Sequence, residues 1–125
     1  YVERNADQAP RQLAHRYPIV AITGPRQSGK TTLVRHLMLD AYTTLEDLDQ
    51  REFALTDPRG FLGQYPDGAV LDEIHRAPLL LSYLQTLVDS DSRKGLFILT
   101  GSQPISLRDH LAQTLAGRVG LLELL

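Results

Sequence analysis

The segment that most constrains the fold of this chain is a glycine-rich stretch near its amino end, residues 24–31 with the sequence GPRQSGKT. Gly24 and Gly29 carry no Cβ, so the backbone between them can turn tightly and approach a ligand closely. The amide groups of such a turn point inward and form a concave nest for an anion. Lys30 adds a cation for the terminal phosphates of a nucleotide, and the Thr31 hydroxyl is a ligand for Mg²⁺. The stretch predicts a phosphate-binding loop.

The residues on either side of this loop agree with the prediction. Residues 18–23, PIVAIT, predict a buried strand, and residues 32–38, TLVRHLM, predict a helix with one apolar face. A phosphate-binding loop joins a strand to the N-terminus of a helix in this order. We therefore expect the chain to bind a nucleoside triphosphate. The expected binding residues are Gly24, Pro25, Arg26, Gln27, Ser28, Gly29, Lys30, Thr31 and Thr32.

Composition is that of an ordinary globular domain, with 125 residues, 42% apolar and 22% charged. No apolar run approaches the ~20 residues that cross a bilayer, and no secretory leader is visible. The absence of cysteine excludes disulfides and thiolate metal sites. A net charge of −2 gives no broad positive field that would attract nucleic acid. A nucleic-acid partner is possible but is not indicated. We expect a cytoplasmic protein without membrane contact.

Apolar stretches and helix-like stretches alternate along the rest of the chain. Strands that are apolar on both faces and separated by helices predict a parallel sheet covered on both sides. The predicted strands after the first are residues 42–46, 69–71, 96–99 and 121–125. The predicted helices are residues 9–17, 49–55, 60–65, a stripe of Leu80, Leu84, Leu87 and Val88, and a stripe of Leu107, Leu111 and Leu115.

Two acidic residues, Asp72 and Glu73, follow the apolar strand 69–71. Ligands bind at the carboxyl edge of an open α/β sheet, which is where these carboxylates would lie. Asp72 is then a candidate Mg²⁺ ligand, mostly through a bound water, opposite Thr31. Glu73 would orient or deprotonate a water that attacks the γ-phosphate. The alternative is a solvated acidic turn. His75 and Arg76, which come next, read as a solvated loop or as a contact with a partner.

Hydroxyl side chains follow the strand 96–99. Thr100 and Ser102 could hydrogen-bond the attacking water or the γ-phosphate, or they could cap the next helix. Both interpretations stay open on these residues alone.

Taken together, four segments resemble a known family: GPRQxGKTT, LDEIxRxP, ILTGS and LAGRV. They are similar to the prokaryotic AAA-type ATPases of the AAA+ superfamily that carry a C-terminal domain of unknown function. The resemblance covers the chain from about Arg11 to its end, and it extends to archaeal and signal-transducing P-loop ATPases.

The resemblance implies a role for each candidate residue. Residues 24–31 would be the Walker A loop, and Asp72 and Glu73 the Walker B pair. Thr100, with Ser102, would be the first sensor. Arg118 would act on the γ-phosphate in cis or across a subunit contact, since a guanidinium stabilises phosphoryl charge. The implied catalytic residues are Lys30, Glu73, Thr100 and Arg118.

The resemblance also implies an architecture. It is a three-layer P-loop NTPase fold with a parallel five-stranded sheet in the order 5-1-4-3-2 and helices on both faces. Residues 1–125 would be an ATPase core cut from a longer protein, without its helical lid and C-terminal domain. That C-terminal domain and further copies of the chain are the expected partners. Many relatives have an Asn near the end of the second strand that restrains the Walker B glutamate, whereas this chain has Thr43 and Thr44.

The predicted function is ATP binding and Mg²⁺-dependent hydrolysis that drives a conformational switch or regulates a partner. Two alternatives are a nucleotide-binding module without turnover and a P-loop kinase. A kinase needs a lid arginine cluster and an acceptor pocket, and neither is visible in the sequence. A glutamate directly beside the Mg²⁺-binding aspartate favours the activation of water instead.

Overall fold

Five parallel strands form one sheet in a computed structural model that describes residues 16–24, 41–91, 93, 95–101, 115 and 117–123. The strands are β1 (Ile19–Thr23), β2 (Tyr42–Thr44), β3 (Ala69–Asp72), β4 (Phe97–Gly101) and β5 (Val119–Glu123). Their order is β2-β3-β4-β1-β5. This is the predicted order 5-1-4-3-2 counted from the opposite side of the sheet, and the prediction is confirmed.

The register of the sheet defines two edges with different chemistry. Ile19 of β1 pairs with Phe97 of β4 and with Val119 of β5, so these three residues lie at the amino edge. Thr23 pairs with Gly101 at the carboxyl edge. Because all five strands are parallel, side chains that directly follow a strand gather at the carboxyl edge, and those that precede one gather at the amino edge.

Three helices are described: α1 (Leu48–Thr56), α2 (Pro58–Gly63) and α3 (Leu79–Asp89). Asp57 separates the first two, since its N–H bonds to the Phe53 carbonyl at 2.8 Å and its carboxylate caps α2 by accepting from the Gly60 N–H at 3.1 Å. This cap explains why α2 begins at Pro58 rather than at the predicted residue 60. A short 3₁₀ turn, Ile74–Arg76, follows β3.

Both faces of the sheet are covered. Ile19, Ala21, Leu71 and Leu99 share one buried cluster with apolar side chains of α1, α2 and α3. The alternate strand residues, which point to the other face, are buried as well, namely Val20, Ile22, Val70 and Ile98. The sheet therefore has the two covered faces that its apolar strands predict.

Several predicted elements fall partly or wholly outside the described residues. These are the phosphate-binding loop after Gly24, the helix over 32–38, almost all of the helix over 9–17, and the stripe at Leu107 and Leu111. Leu115, the third member of that stripe, is fully buried. In the part of the chain that the structure describes, no helix is long and apolar enough to span a bilayer.

Candidate functional site

The carboxyl ends of β3 and β4 bring Asp72 and Thr100 together. Each lies two residues beyond a buried residue of the same sheet face, Val70 and Ile98, so both side chains point to that face. The Thr100 hydroxyl donates to Oδ1 of Asp72 at 2.5 Å. Thr100 is fully buried, while Asp72 is partly accessible. The expected sensor threonine and the expected Mg²⁺ ligand are thus direct hydrogen-bond partners.

The same hydroxyl also binds the next residue of the acidic pair. The Thr100 oxygen accepts a hydrogen bond from the backbone N–H of Glu73 at 3.2 Å. A hydroxyl has one proton to donate and two lone pairs that accept. While that proton is directed at Asp72, Thr100 cannot also donate to a phosphate oxygen, which is an acceptor only. In this state Thr100 holds the acidic pair in place rather than contacting a γ-phosphate.

Glu73 has an uncommon backbone conformation. Its φ of 55° and ψ of 49° place it in the left-handed helical region, and among the described residues it is the one non-glycine residue with a positive φ. Such a conformation costs about 1–2 kcal/mol for a residue with a Cβ. The bond to Thr100 and the hydrogen bond from the Arg76 N–H to the Glu73 carbonyl, at 3.0 Å, stabilise it. Non-glycine residues in this region cluster at functional sites.

The Glu73 side chain is buried and contacts His75. Nε2 of His75 lies 3.3 Å from Oε2 of Glu73, with side-chain exposures of 8% and 5%. The interpretation of Asp72 and Glu73 as a solvated turn is therefore wrong for Glu73, and that of His75 as a solvated loop residue is wrong as well. One residue in the sequence could have indicated that this turn is buried. Ile74, between Glu73 and His75, is apolar and anchors the turn in the core.

The described part of the phosphate-binding loop lies beside the carboxyl end of β4. The N–H of Gly24, the first residue of the loop, bonds to the carbonyl of Gly101 at the end of β4, at 3.2 Å. The loop therefore leaves the sheet from β1, which β4 separates from the strand of Asp72. The candidate residues Pro25, Arg26, Gln27, Ser28, Gly29, Lys30, Thr31 and Thr32, and also Ser102, lie outside the described residues.

The end of the second strand, where many members of the resembling family have an Asn, carries Thr43 and Thr44 in this chain. Thr44 pairs with Asp72 across β2 and β3, and its hydroxyl accepts from the backbone N–H of Glu46 at 3.3 Å. That hydroxyl is used in the turn that leads to α1. The described contacts that hold Glu73 come instead from Thr100, His75 and Arg76.

Arg118 lies at the other edge of the sheet. It precedes β5, and its carbonyl accepts from the N–H of Ile19 at the amino end of β1, at 3.2 Å. The five residues of β1 separate the two edges by about 13 Å. The expected action of Arg118 in cis on a nucleotide at the carboxyl edge is therefore incompatible with this arrangement. Action of Arg118 across a subunit interface stays a prediction.

The Arg118 side chain binds the carboxylate of Asp89, the last residue of α3. Nε lies 2.6 Å from Oδ1, and Nη2 lies 3.0 Å from Oδ2, so the contact is bidentate. The hydrogen bonds from the guanidinium hold the pKa of Asp89 below its ordinary value, and the carboxylate raises the pKa of Arg118. Both side chains are partly exposed, at 31% and 49%, which makes the pair accessible to solvent.

The donor set at the carboxyl edge suits a hard cation. Mg²⁺ prefers oxygen ligands, and nucleotide sites hold it through one or two carboxylates together with phosphates and water. Asp72 supplies such a carboxylate, of which Oδ1 is bonded to Thr100. The described residues contain no group of three or more His, Cys, Asp or Glu side chains that could hold a metal ion. The Asp72 carboxylate is thus a candidate ligand for a Mg²⁺ ion that arrives with a nucleotide.

The model of a family described as an AAA domain matches residues 16–125. Two proteins, Rv2008c of Mycobacterium tuberculosis and Mb2031c of Mycobacterium bovis, both described as uncharacterized, are each 37% identical over 123 residues. Each alignment covers 97% of this chain and 28% of the relative. The chain thus spans little more than a quarter of the length of these relatives.

A solved structure described as a DNA replication initiation factor has a similar fold. The TM-score is 0.60 at 19% sequence identity, and the alignment covers 97% of this chain and 44% of the other. At this identity the likeness extends to the fold alone.

Proposed function

The chain belongs to the AAA domain family, and we propose that it binds ATP with Mg²⁺ and hydrolyses it at the carboxyl edge of the sheet. Membership of the family supports nucleotide binding and an ATPase-type function in general. The observation that carries the finer proposal is the Thr100 hydroxyl, which bonds both the Asp72 carboxylate and the Glu73 N–H beside the start of the phosphate-binding loop. It holds the Asp72 carboxylate and the Glu73 backbone in a fixed relation.

The proposed roles follow from the chemistry of each side chain. Lys30 and the loop amides bind the β- and γ-phosphates. Thr31 and Asp72 would hold Mg²⁺, which neutralises charge on the phosphates when it is bound. Glu73 accepts a proton from a water whose oxygen attacks the γ-phosphorus, while the bond to the β-phosphate oxygen breaks and ADP leaves.

Two further parts of the proposal concern the whole protein. Because the chain spans 28% of the length of its curated relatives, we infer that residues 1–125 are the ATPase core of a longer protein. Hydrolysis would drive a conformational switch or regulate a partner, with a C-terminal domain and further copies of the chain as the partners. Arg118, at the amino edge, would reach a nucleotide only in a neighbouring subunit.

A substitution in the loop tests the nucleotide site. Lys30→Ala removes the cation that faces the β- and γ-phosphates, so MgATP affinity should fall below detection in a calorimetric titration. The chain has two lysines, and Lys94→Ala is the matched control that removes the other one. Unchanged affinity in the Lys30 variant would contradict the assignment of the loop.

A further inference from the structure

The contact between Glu73 and His75 arises from an unusual local fold. Residues two apart do not face each other on a regular helix. Here the left-handed conformation of Glu73, with φ 55° and ψ 49°, reverses the chain directly after β3. The 3₁₀ turn that follows is closed by the bonds Arg76 N–H to Glu73 carbonyl and Ala77 N–H to Ile74 carbonyl, both at 3.0 Å. The turn brings the imidazole of His75 back to the Glu73 carboxylate.

The core fixes this turn. Ile74 and Ala77 have no exposed surface, and both belong to the main buried cluster. The two side chains in contact are themselves nearly buried, at 8% for His75 and 5% for Glu73. Hydrogen bonds in a surrounding of low dielectric are stronger and better defined in direction than those exposed to water. The imidazole is therefore held by packing as well as by its polar contact.

Among the contacts that the structure describes, three separate ones hold Glu73. Its N–H bonds to Thr100 at 3.2 Å, its carbonyl accepts from Arg76 at 3.0 Å, and Oε2 of its carboxylate faces Nε2 of His75 at 3.3 Å. The first two fix the backbone, and only the third acts on the carboxyl group. A donor on one carboxylate oxygen fixes the plane of the group, and thereby the direction of its lone pairs.

We propose that His75 is a positioning residue for Glu73, whose Nε2–H orients the carboxylate for the attacking water. The inference rests on the proposed function, in which Glu73 accepts the proton of that water. It does not depend on the charge of His75, because Nε2 carries a proton in the cation and in one neutral tautomer. His75 itself touches neither water nor nucleotide in this role.

Three substitutions separate positioning from simple packing. In His75→Gln, the side-chain amide nitrogen reaches about as far as Nε2 and still donates to the carboxylate. His75→Asn keeps the same amide but is one methylene shorter, so its donor falls short of Oε2. His75→Leu keeps apolar volume without a donor. Arg76→Gln is the matched control, since Arg76 lies in the same turn with an exposed side chain.

The experiment measures kcat and KM for ATP in the full-length protein, together with MgATP affinity and Tm. A misplaced catalytic group can cost about 10²-fold in rate. We expect kcat to fall about 10- to 100-fold in the Leu and Asn variants, with KM and MgATP affinity unchanged. The Gln variant should retain most of kcat, and Arg76→Gln should match the wild type.

The inference is overturned if the Leu and Asn variants keep wild-type kcat, or if Gln, Asn and Leu all lower kcat equally. Comparison of Asn with Gln decides the matter even where the Leu variant folds poorly, since both are polar. Glu73→Gln, measured in parallel, distinguishes failure of the proposed function from failure of the positioning role of His75. If that variant keeps turnover, the proposed function fails. If it loses turnover while His75→Asn does not, only the positioning role fails.

Discussion

The Thr100 hydroxyl lies 2.5 Å from Oδ1 of Asp72 and joins the carboxyl ends of two neighbouring strands, β4 and β3. The two residues are 28 positions apart in sequence, so the bond depends on the parallel pairing of the strands that carry them. Because the same oxygen accepts from the Glu73 N–H, one hydroxyl sets the position of both acidic residues. Loss of that hydroxyl should therefore affect folding and chemistry together.

Thr100→Val tests this double role with little change in shape. It leaves the partly accessible Asp72 carboxylate and the buried Glu73 N–H each without this partner. Removing one member of a buried hydrogen bond costs about 1–3 kcal/mol, so the free energy of unfolding should fall by that amount in chemical denaturation. ATP turnover should fall as well. Thr100→Ser, which keeps the hydroxyl, is the control, and equal stability of the Val variant and the wild type would contradict the role.

Gly68→Ala tests the amino edge of the sheet. Gly68 has a φ of +91°, and a Cβ there would lie 1.6 Å from the backbone oxygen of Leu96. Both strain and overlap oppose any side chain, so we expect a loss of at least about 2 kcal/mol in the free energy of unfolding. Gly63→Ala is the matched control, since a Cβ there meets nothing within 4 Å. If the Gly68 variant were as stable as the Gly63 variant, the close approach of Gly68 to the Leu96 backbone would be wrong.

An exposed ion pair gives a prediction about pH. Arg93 donates to both oxygens of Asp91, Nε at 3.1 Å and Nη2 at 2.8 Å, and these bonds hold the pKa of Asp91 below its ordinary value of 3.8. A folded-state pKa below the unfolded one stabilises the fold above pH 3.8, and the stabilisation is lost as pH falls through the folded-state value.

Asp91→Asn should therefore lower Tm at pH 7, and its effect should shrink as the pH falls below 3.8. Thermal unfolding of both proteins across this range is the measurement. Because Arg93 is about half exposed, added salt should reduce the difference at pH 7. A Tm difference that does not vary with pH would mean that the ion pair is not its source.

Mixing of subunits tests the proposed action of Arg118 across an interface. A subunit with Arg118→Ala still has Asp72 and Glu73, whereas a subunit with Glu73→Gln still has Arg118. If each nucleotide is served by Glu73 of one subunit and Arg118 of the next, mixing the two inactive full-length variants should restore part of the ATPase activity. Each variant alone, at the same total concentration, is the control. No gain on mixing, with mixed oligomers verified, would contradict the trans role.

The sequence predicted the sheet because its physical basis is local. Apolar runs such as residues 18–23 and 96–99 are buried on both faces, and helical segments alternate with them. The pair Asp72 and Thr100 was predictable for the same reason, since each directly follows such a run. Arg118 was predicted to act in cis or across a subunit contact, and the cis alternative does not fit its position, because a residue before a parallel strand lies at the amino edge. That signal was present in the sequence.

His75 could not be found in the same way. Its burial depends on the left-handed backbone of Glu73, and glutamate has no sequence preference for that conformation. The conformation is stabilised by the contact with Thr100, 27 residues away along the chain. The position of His75 directly after the acidic pair did not reveal its burial, because the contact of Glu73 with the distant Thr100 determines the turn.

The central claim is that Glu73 activates water in an ATPase, and steady-state phosphate release by full-length Glu73→Gln tests it most directly. Glu52→Gln, an exposed carboxylate on α1, is the matched control. A neutral amide cannot accept the proton of water, so phosphate release should fall about 10²-fold or more while MgATP affinity persists. The control should match the wild type. Wild-type phosphate release by Glu73→Gln would contradict the account.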